Sequence, residues 1–301
     1  MTSTAEARRA HLMLHGCVAL WGFTAILGKL ITLSATALVV WRMLLVTAML
    51  MMIPRAWRGL RELTGRQRWI FGGIGCVIAL HWLAFYGSIK LANASVAVAC
   101  LALGAIFAAI LEPWITRRPH DRSELLLGVL AIPGVILLVG GVPLDMRLGI
   151  AVGVIAALLS ALFGSLNKRL VSVGEPATVT LIEMGVGTVF VAITAVVVFG
   201  PAETLPRPSL ADFFWLLVLA GACTVLPFLW WLRALHHVSA FGTQVALNLE
   251  PVYAIVIAAL LFREYAELTP RFYLGVAIIL GTVFLQPRLA SALRTRRVDS
   301  R

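Results

Sequence analysis

The stretch Leu247-Asn-Leu-Glu-Pro-Val-Tyr-Ala-Ile-Val256 sets a carboxylate beside a proline inside a long apolar run, and Val245 to Phe262 contains no other charge. A segment of about 20 mostly apolar residues spans a bilayer, and the run 240–262 has that length. Glu250 lies ten residues into it, which at about 1.5 Å per residue puts it about 15 Å deep, close to the midplane. A charge there costs about 2.5–3.5 kcal/mol on insertion scales. Pro251 lacks an N–H, so the Leu247 carbonyl four residues back loses its helical partner. Such backbone is tolerated at membrane depth only where it faces protein or a wet cavity. On a helical wheel Thr243, Gln244, Asn248 and Glu250 fall within about 160°. The run therefore reads as a membrane helix with one polar face turned to a polar interior. Glu250 there either binds an ammonium group or carries a proton, or is a structural acid bonded to neighbouring helices.

Composition agrees. The chain has 301 residues, 60% hydrophobic and 13% charged, with mean hydropathy +0.95. Soluble domains have about 45–50% apolar and about 25% charged residues, so this is an all-α, polytopic integral membrane protein. The formal charge of +11 does not imply nucleic acid, because Lys and Arg mark the cytoplasmic loops of membrane proteins. The four cysteines lie in apolar segments without disulfide or zinc spacing and read as packing residues. Arg8 and Arg9 followed by an apolar run and Ala35-Thr-Ala37 imitate a signal peptide. Lys29 interrupts that pattern, so the run reads as an uncleaved first span.

Ten spans are expected, at 11–31, 35–53, 69–89, 95–115, 125–141, 148–166, 178–199, 212–232, 240–262 and 271–286. With the N-terminus inside, eighteen Lys and Arg fall on inside segments and five on outside loops. The bias predicts a multi-pass protein of the plasma (inner) membrane with both termini cytoplasmic.

The segment 94–138 repeats in 241–285 at an offset of 147. Leu127-Gly128-Val129 meets Leu274-Gly275-Val276, and Gly134 meets Gly281. Lys29 matches Lys168 at offset 139, and Arg42 roughly matches Glu183 at 141. The halves, 1–143 and 144–301, read as two copies of five helices. Five is odd, so the second copy is inverted in the membrane, a construction used by secondary transporters.

Trp21-Gly22 with Lys29, and Asn248-Leu-Glu-Pro251 leading to Arg263-Glu264 and then Leu274-Gly275-Val276 and Gly281, make the chain resemble the drug/metabolite transporter superfamily, and more narrowly its EamA-type permeases. The resemblance covers nearly the whole chain. Where the family often has proline in the fourth span this chain has Gly104, and where it has glutamate after that span this chain has Arg117. The resemblance implies a proton- or gradient-coupled exporter, or a facilitative carrier, of amino acids or related small metabolites.

The expected substrate-binding residues are Trp21, Arg42, His81, Trp82, Tyr86, Gln244, Asn248 and Glu250. Arg42 lies too deep for easy snorkelling and suits a carboxylate bidentately. A direct Arg42–Glu183 bridge is not expected, because inversion mirrors depth. His81, Trp82, Phe85 and Tyr86 form a polar-aromatic ridge. Glu250 and His81 are the proton-coupling candidates, and Pro251 and Gly104 the hinges. Trp230 and Trp231 read as an interfacial belt, Glu112 as an interfacial charge beside Arg117 and Arg118, Lys29 as a snorkelling cation, and Gly149-Ile-Ala-Val-Gly153 as a close helix contact, within one chain or in a dimer. His11 and His15 have i,i+4 spacing without a carboxylate, so no metal is expected, and no cofactor. The expected partners are a small-molecule substrate, a proton and the bilayer, with no nucleic acid, in a monomer or homodimer. A membrane-embedded enzyme acting on lipid and a channel are the competing readings; no zinc motif, nucleotide loop or facing catalytic set supports the former.

Overall fold

The computed structural model describes residues 4–247 and 249–299; for some helix residues, Gln244 and all of 286–299 among them, it describes only the backbone. Helices and turns make up all of the described chain. In order they are α1 (Thr4–Gly22), α2 (Thr24–Leu30), α3 (Ala35–Met51), α4 (Pro54–Leu60), α5 (Gly65–Leu91), α6 (Ala94–Leu101), α7 (Gly104–Thr116), α8 (Arg122–Gly140), α9 (Arg147–Arg169), α10 (Pro176–Phe199), α11 (Pro201–Thr204), α12 (Leu210–Ala220), α13 (Leu226–Ala234), α14 (Ala240–Leu247), α15 (Glu250–Phe262) and α16 (Pro270–Asp299). A π-turn, Gly221–Val225, joins α12 to α13.

Among the described residues, seven stretches are long and apolar enough to cross a membrane. The number is eight if α3 and α4, bent by 86° at their junction, are one span; Val129–Gly140 and Pro270–Thr282 are shorter apolar helices. The bend is local chemistry. Ile53 is extended, and Pro54 at the first helical position cannot donate back into α3. Large apolar side chains such as Leu44, Val189, Ile193, Val197, Leu260 and Leu261 are exposed on the outer surface, as lipid contact requires.

The helices of the two halves match in detail. α6 and α14 begin at Ala94 and Ala240 and end at Leu101 and Leu247. α7 and α15 run from Gly104 and Glu250 to Thr116 and Phe262, each closed by an arginine in the left-handed conformation, Arg117 and Arg263. The spacing here is 146, one less than the expected 147, so Gly104 corresponds to Glu250 rather than to Pro251. Both halves break just before the helix restarts, at residues 102–103 and at Leu249; Pro251 sits in the first turn of α15, where a missing N–H leaves no gap.

α3 and α10 match at 141: Ser34 and Glu175 cap them through side chains, and Met43 and Thr47 recur as Met184 and Thr188. Thr47 and Thr188 share a hydrogen bond of 3.0 Å. A residue that bonds its own counterpart marks the place where two related halves meet. Near it α5 and α10 cross in backbone contact: a Cβ on Gly75 would stand 2.0 Å from the Glu183 carbonyl oxygen, and one on Gly187 would stand 2.6 Å from the Gly75 carbonyl oxygen. α8 packs along α16, with Gly134 and Gly275 at the contact. Gly149 and Gly153 fit against Ala92 and Cys100 of the same chain, so that pair serves intramolecular packing.

Candidate functional site

Between the halves lies a cavity of about 70 Å³. A single water needs roughly 10–15 Å³ on this measure, so the space suits several waters or a small polar molecule. Thirteen residues line it, and ten of them form pairs at the spacings that relate the halves. Trp21 pairs with Ser160 and Thr24 with Phe163 at 139. Trp82 pairs with Phe228, Phe85 with Trp231, and Leu101 with Leu247, all at 146. The three left over are Arg42, His81 and Glu250. The wall is therefore symmetric and the ionisable groups are not.

The wall is mostly aromatic. Phe228 meets Trp21, Trp82, Phe163 and Trp231 at 5.7–6.5 Å between ring centroids, within the range of favourable ring pairs. His81 packs edge-on against Phe163 at 5.4 Å, and its Nδ1 donates to the Ala156 carbonyl at 2.8 Å. That bond fixes the ring and leaves Nε2 uncommitted among the described residues.

Arg42 is 2% exposed. Its guanidinium stacks over Trp82 at 3.7 Å, a contact of about 2 kcal/mol when desolvated. Nε donates to Thr224 at 3.0 Å and Nη1 to the Tyr86 hydroxyl at 2.7 Å. The π-turn makes the first bond possible. It lets the Thr224 hydroxyl donate to the Leu219 carbonyl five residues back, which turns its oxygen toward Arg42. Inserted π-turns recur at functional sites for this reason.

Glu250 opens α15, is 6% exposed and faces the same cavity. It makes no hydrogen bond among the described residues. Arg42 and Glu250 face the same cavity yet form no ion pair; those found among the described residues are Lys29–Glu264 and Arg118–Glu112. A guanidinium and a carboxyl group thus face one aromatic-walled space without pairing.

Of the expected site residues, the fold gathers Trp21, Arg42, His81, Trp82 and Glu250 on one cavity. Tyr86 does not line it; the ring is fully buried behind Arg42 and holds the guanidinium. The Gln244 side chain and Asn248 lie outside the described residues. Trp231 corrects an expectation: it is 3% exposed and lines the cavity, because the π-turn rotates α13 inward, while Trp230 packs on Gly16. Phe163 and Phe228 went unread because an aromatic residue in an apolar run carries no signal alone. The 139 spacing of Lys29 and Lys168, carried back to Trp21 and Thr24, is the signal that would have found Ser160 and Phe163.

Two buried carboxylates tie the halves together, one at the start of α6 and one at the start of α14. Glu264, 0% exposed, accepts from Ala94 N, Ser95 N and Ser95 Oγ at the start of α6 and from Lys29 Nζ at 2.6 Å. Glu112 accepts from Ala240 N and Phe241 N at the start of α14, and from Arg118 at 3.4 Å. Glu112 is thus a buried cross-cap, 1% exposed, rather than an interfacial charge; two orphan helix N–H groups hold it. Lys29, expected to snorkel, is tied down by its ion pair. The two glutamates do not correspond in sequence, and each caps the half-helix of the opposite repeat.

Removing one latch makes a direct test. Glu264→Ala leaves the Ala94 and Ser95 N–H groups unpaired, a loss of about 1–3 kcal/mol per group. In a background lacking the four native cysteines, a cysteine at Ser160 will then react faster with an impermeant thiol reagent added from the Lys29 side. An unchanged rate would show that Glu264 closes nothing.

The model of the EamA-like transporter family matches residues 8–140 and 147–286. The uncharacterized transporter YyaM of Bacillus subtilis (strain 168) is 24% identical over 234 residues, covering 75% of this chain and 76% of that protein. A crystal structure at 14% identity superposes with a TM-score of 0.68 over 94% of this chain and 98% of its own, which shows a shared fold. With two family matches lying end to end, one on each half of the fold, this multi-pass membrane protein belongs to the EamA-like transporter family.

Proposed function

We propose that the protein is a secondary transporter that exports small zwitterionic metabolites, amino acids or their relatives, by alternating access and without nucleotide hydrolysis. One observation carries the reading: a cavity between the two halves holds Arg42 and Glu250 apart on a symmetric aromatic wall. A ligand carboxylate fits the Arg42 fork and its ammonium fits Glu250, while apolar substituents meet Phe163, Phe228 and the tryptophans. One chain builds the whole cavity, so a monomer suffices.

In this reading the seven long stretches, the bent α3–α4 pair and the two shorter apolar helices count as ten spans, five per half and mutually inverted. The Lys and Arg bias supports cytoplasmic termini, and the membrane of this reading is the plasma membrane. The Lys29–Glu264 end then faces outward and the Glu112–Arg118 end inward. Transport opens them one at a time, and a substrate in the cavity joins elements from both halves. Binding of the ligand and opening of an end thus compete for the same helices, α6–α7 and α14–α15.

The test is exchange of radiolabelled for unlabelled amino acids in vesicles that contain the purified protein. Glu250→Gln keeps the volume and removes the charge. It is expected to weaken uptake of zwitterions by about 10-fold or more, as loss of one charge-assisted bond of about 1.5–3 kcal/mol requires, and to flatten the pH dependence. Wild-type uptake in that variant, or no exchange of any amino acid, would refute the reading.

A further inference from the structure

The polar group that the cavity does not use is Glu183. It lies in α10 at the position that corresponds to Arg42 in α3, is 0% exposed, and neither carboxyl oxygen has a hydrogen-bond partner among the described residues. The amide of Asn167, also buried and also unpaired at Nδ2, lies near enough to act on it but outside bonding geometry. Among the titratable groups on helices packed around it are Arg42 on α3, Arg58 on α4, Cys76 and His81 on α5, Lys168 on α9 and Arg233 on α13. None of them forms a hydrogen bond or ion pair with its carboxyl.

A bare carboxylate is the form this place holds worst. Removing an ion from water is costly unless donors or a counter-charge replace the solvent, and among the described residues only the Asn167 amide, outside bonding geometry, is near enough to act. A carboxylic acid asks for far less, one acceptor for one proton. Unpaired buried groups are rare enough that each calls for an explanation, and a cluster of two beside a cavity calls for one explanation. A second cavity of about 10 Å³, the size of one water, is lined by Asn167, Gly174, Pro176 and Val179. Val179 is one turn before Glu183 on the same face of α10. Phe163, one turn before Asn167 on α9, lines the main cavity. The Glu183–Asn167 pair therefore stands between the main cavity and the Gly174–Pro176 end of the molecule.

We propose that Glu183 is a proton-binding site, separate from the substrate cavity in this conformation and carried into it when the two halves exchange conformations. The inference rests on the transport reading above. If alternating access swaps the halves, the place Arg42 holds now is the place Glu183 takes in the other state. There it meets the cavity as a group of opposite sign. In that state the carboxyl exchanges its proton with water of the main cavity, and in this one through the one-water cavity beside Asn167; one proton is taken up on one side and released on the other, and no other species is consumed. Sodium is the less apt ion, because a metal cation needs several oxygen ligands and Asn167 is the one side chain found to act on this carboxyl among the described residues.

Two measurements on the full-length protein test this. Infrared difference spectra in a Glu250→Gln background should show the C=O stretch of a neutral carboxylic acid at neutral pH, and Glu183→Gln should remove it. In vesicles with an acidic lumen, the wild type should accumulate a labelled amino-acid mixture. Glu183→Gln should keep label exchange and lose accumulation down to the level without a gradient. Accumulation at the wild-type level in that variant, or absence of the band, overturns the proposal. If Glu183→Gln fails to fold, Asn167→Leu replaces it: a shifted band supports the site and an unshifted band overturns it. Vesicles that move no amino acid at all overturn the transport reading and the coupling together, while the band still decides whether Glu183 holds a proton.

Discussion

Arg42→Ala will abolish saturable uptake while the protein still folds. The guanidinium is the cation of the cavity, and three neighbours, Trp82, Thr224 and Tyr86, hold its plane. A ligand carboxylate that loses such a partner in a desolvated site loses about 2–5 kcal/mol, roughly 30-fold or more in affinity. The fold survives because Thr224 keeps its bond to the Leu219 carbonyl and Tyr86 stays packed against Gly28. Arg42→Lys will rescue little. A lysine has the charge but neither the planar fork nor the stacking surface. The measurement is ligand-dependent thermal stabilisation beside uptake. Wild-type uptake in Arg42→Ala would remove the residue from the mechanism.

Gly75→Ala will destabilise the protein far more than Gly73→Ala, two residues away on the same helix. The added methyl at 75 would stand 2.0 Å from the Glu183 carbonyl oxygen, whereas at 73 nothing lies within 4 Å. Backbone cannot rotate aside as a side chain does, so α5 and α10 must separate. Overpacking of this kind costs about 1–3 kcal/mol and occasionally more, and here it also strains the Thr47–Thr188 contact between the halves. At 73, alanine gains helix propensity of about 0.8–1 kcal/mol. Melting in detergent, followed by intrinsic fluorescence, compares the two. Equal midpoints would contradict the close crossing.

Much of this architecture was legible in the residues. Apolar runs of span length, a proline beside a mid-depth acid, and the Lys and Arg asymmetry are local patterns that burial in lipid imposes on any chain. The repeat was legible too, since matched glycines mark places where helices touch. Five of the eight proposed binding residues share one cavity for the same reason: a polar group costs so much in hydrocarbon that its presence deep in a span points inward.

What stayed hidden was of another kind. Phe163, Phe228 and Trp231 look like any other large apolar residue until the helices pack, because sequence gives no angle for a helix whose whole surface is apolar. The π-turn that aims Thr224 and Trp231 depends on one extra residue per turn, which no periodicity announces. Glu112 and Glu264 look like chain-end charges, and only the meeting of α6 with α15 and of α7 with α14 makes them caps. The one-residue drift that aligns Gly104 with Glu250 rather than Pro251 is likewise set by where the helices start. By itself the sequence determined the membrane as solvent and the all-helical character, which follow from transfer energies summed along single helices, and the duplication, which follows from matching positions along the chain. Which side chains meet, and so where the charges stand apart and where one of them stands alone, was decided by tertiary packing, since contact between helices is a property of pairs.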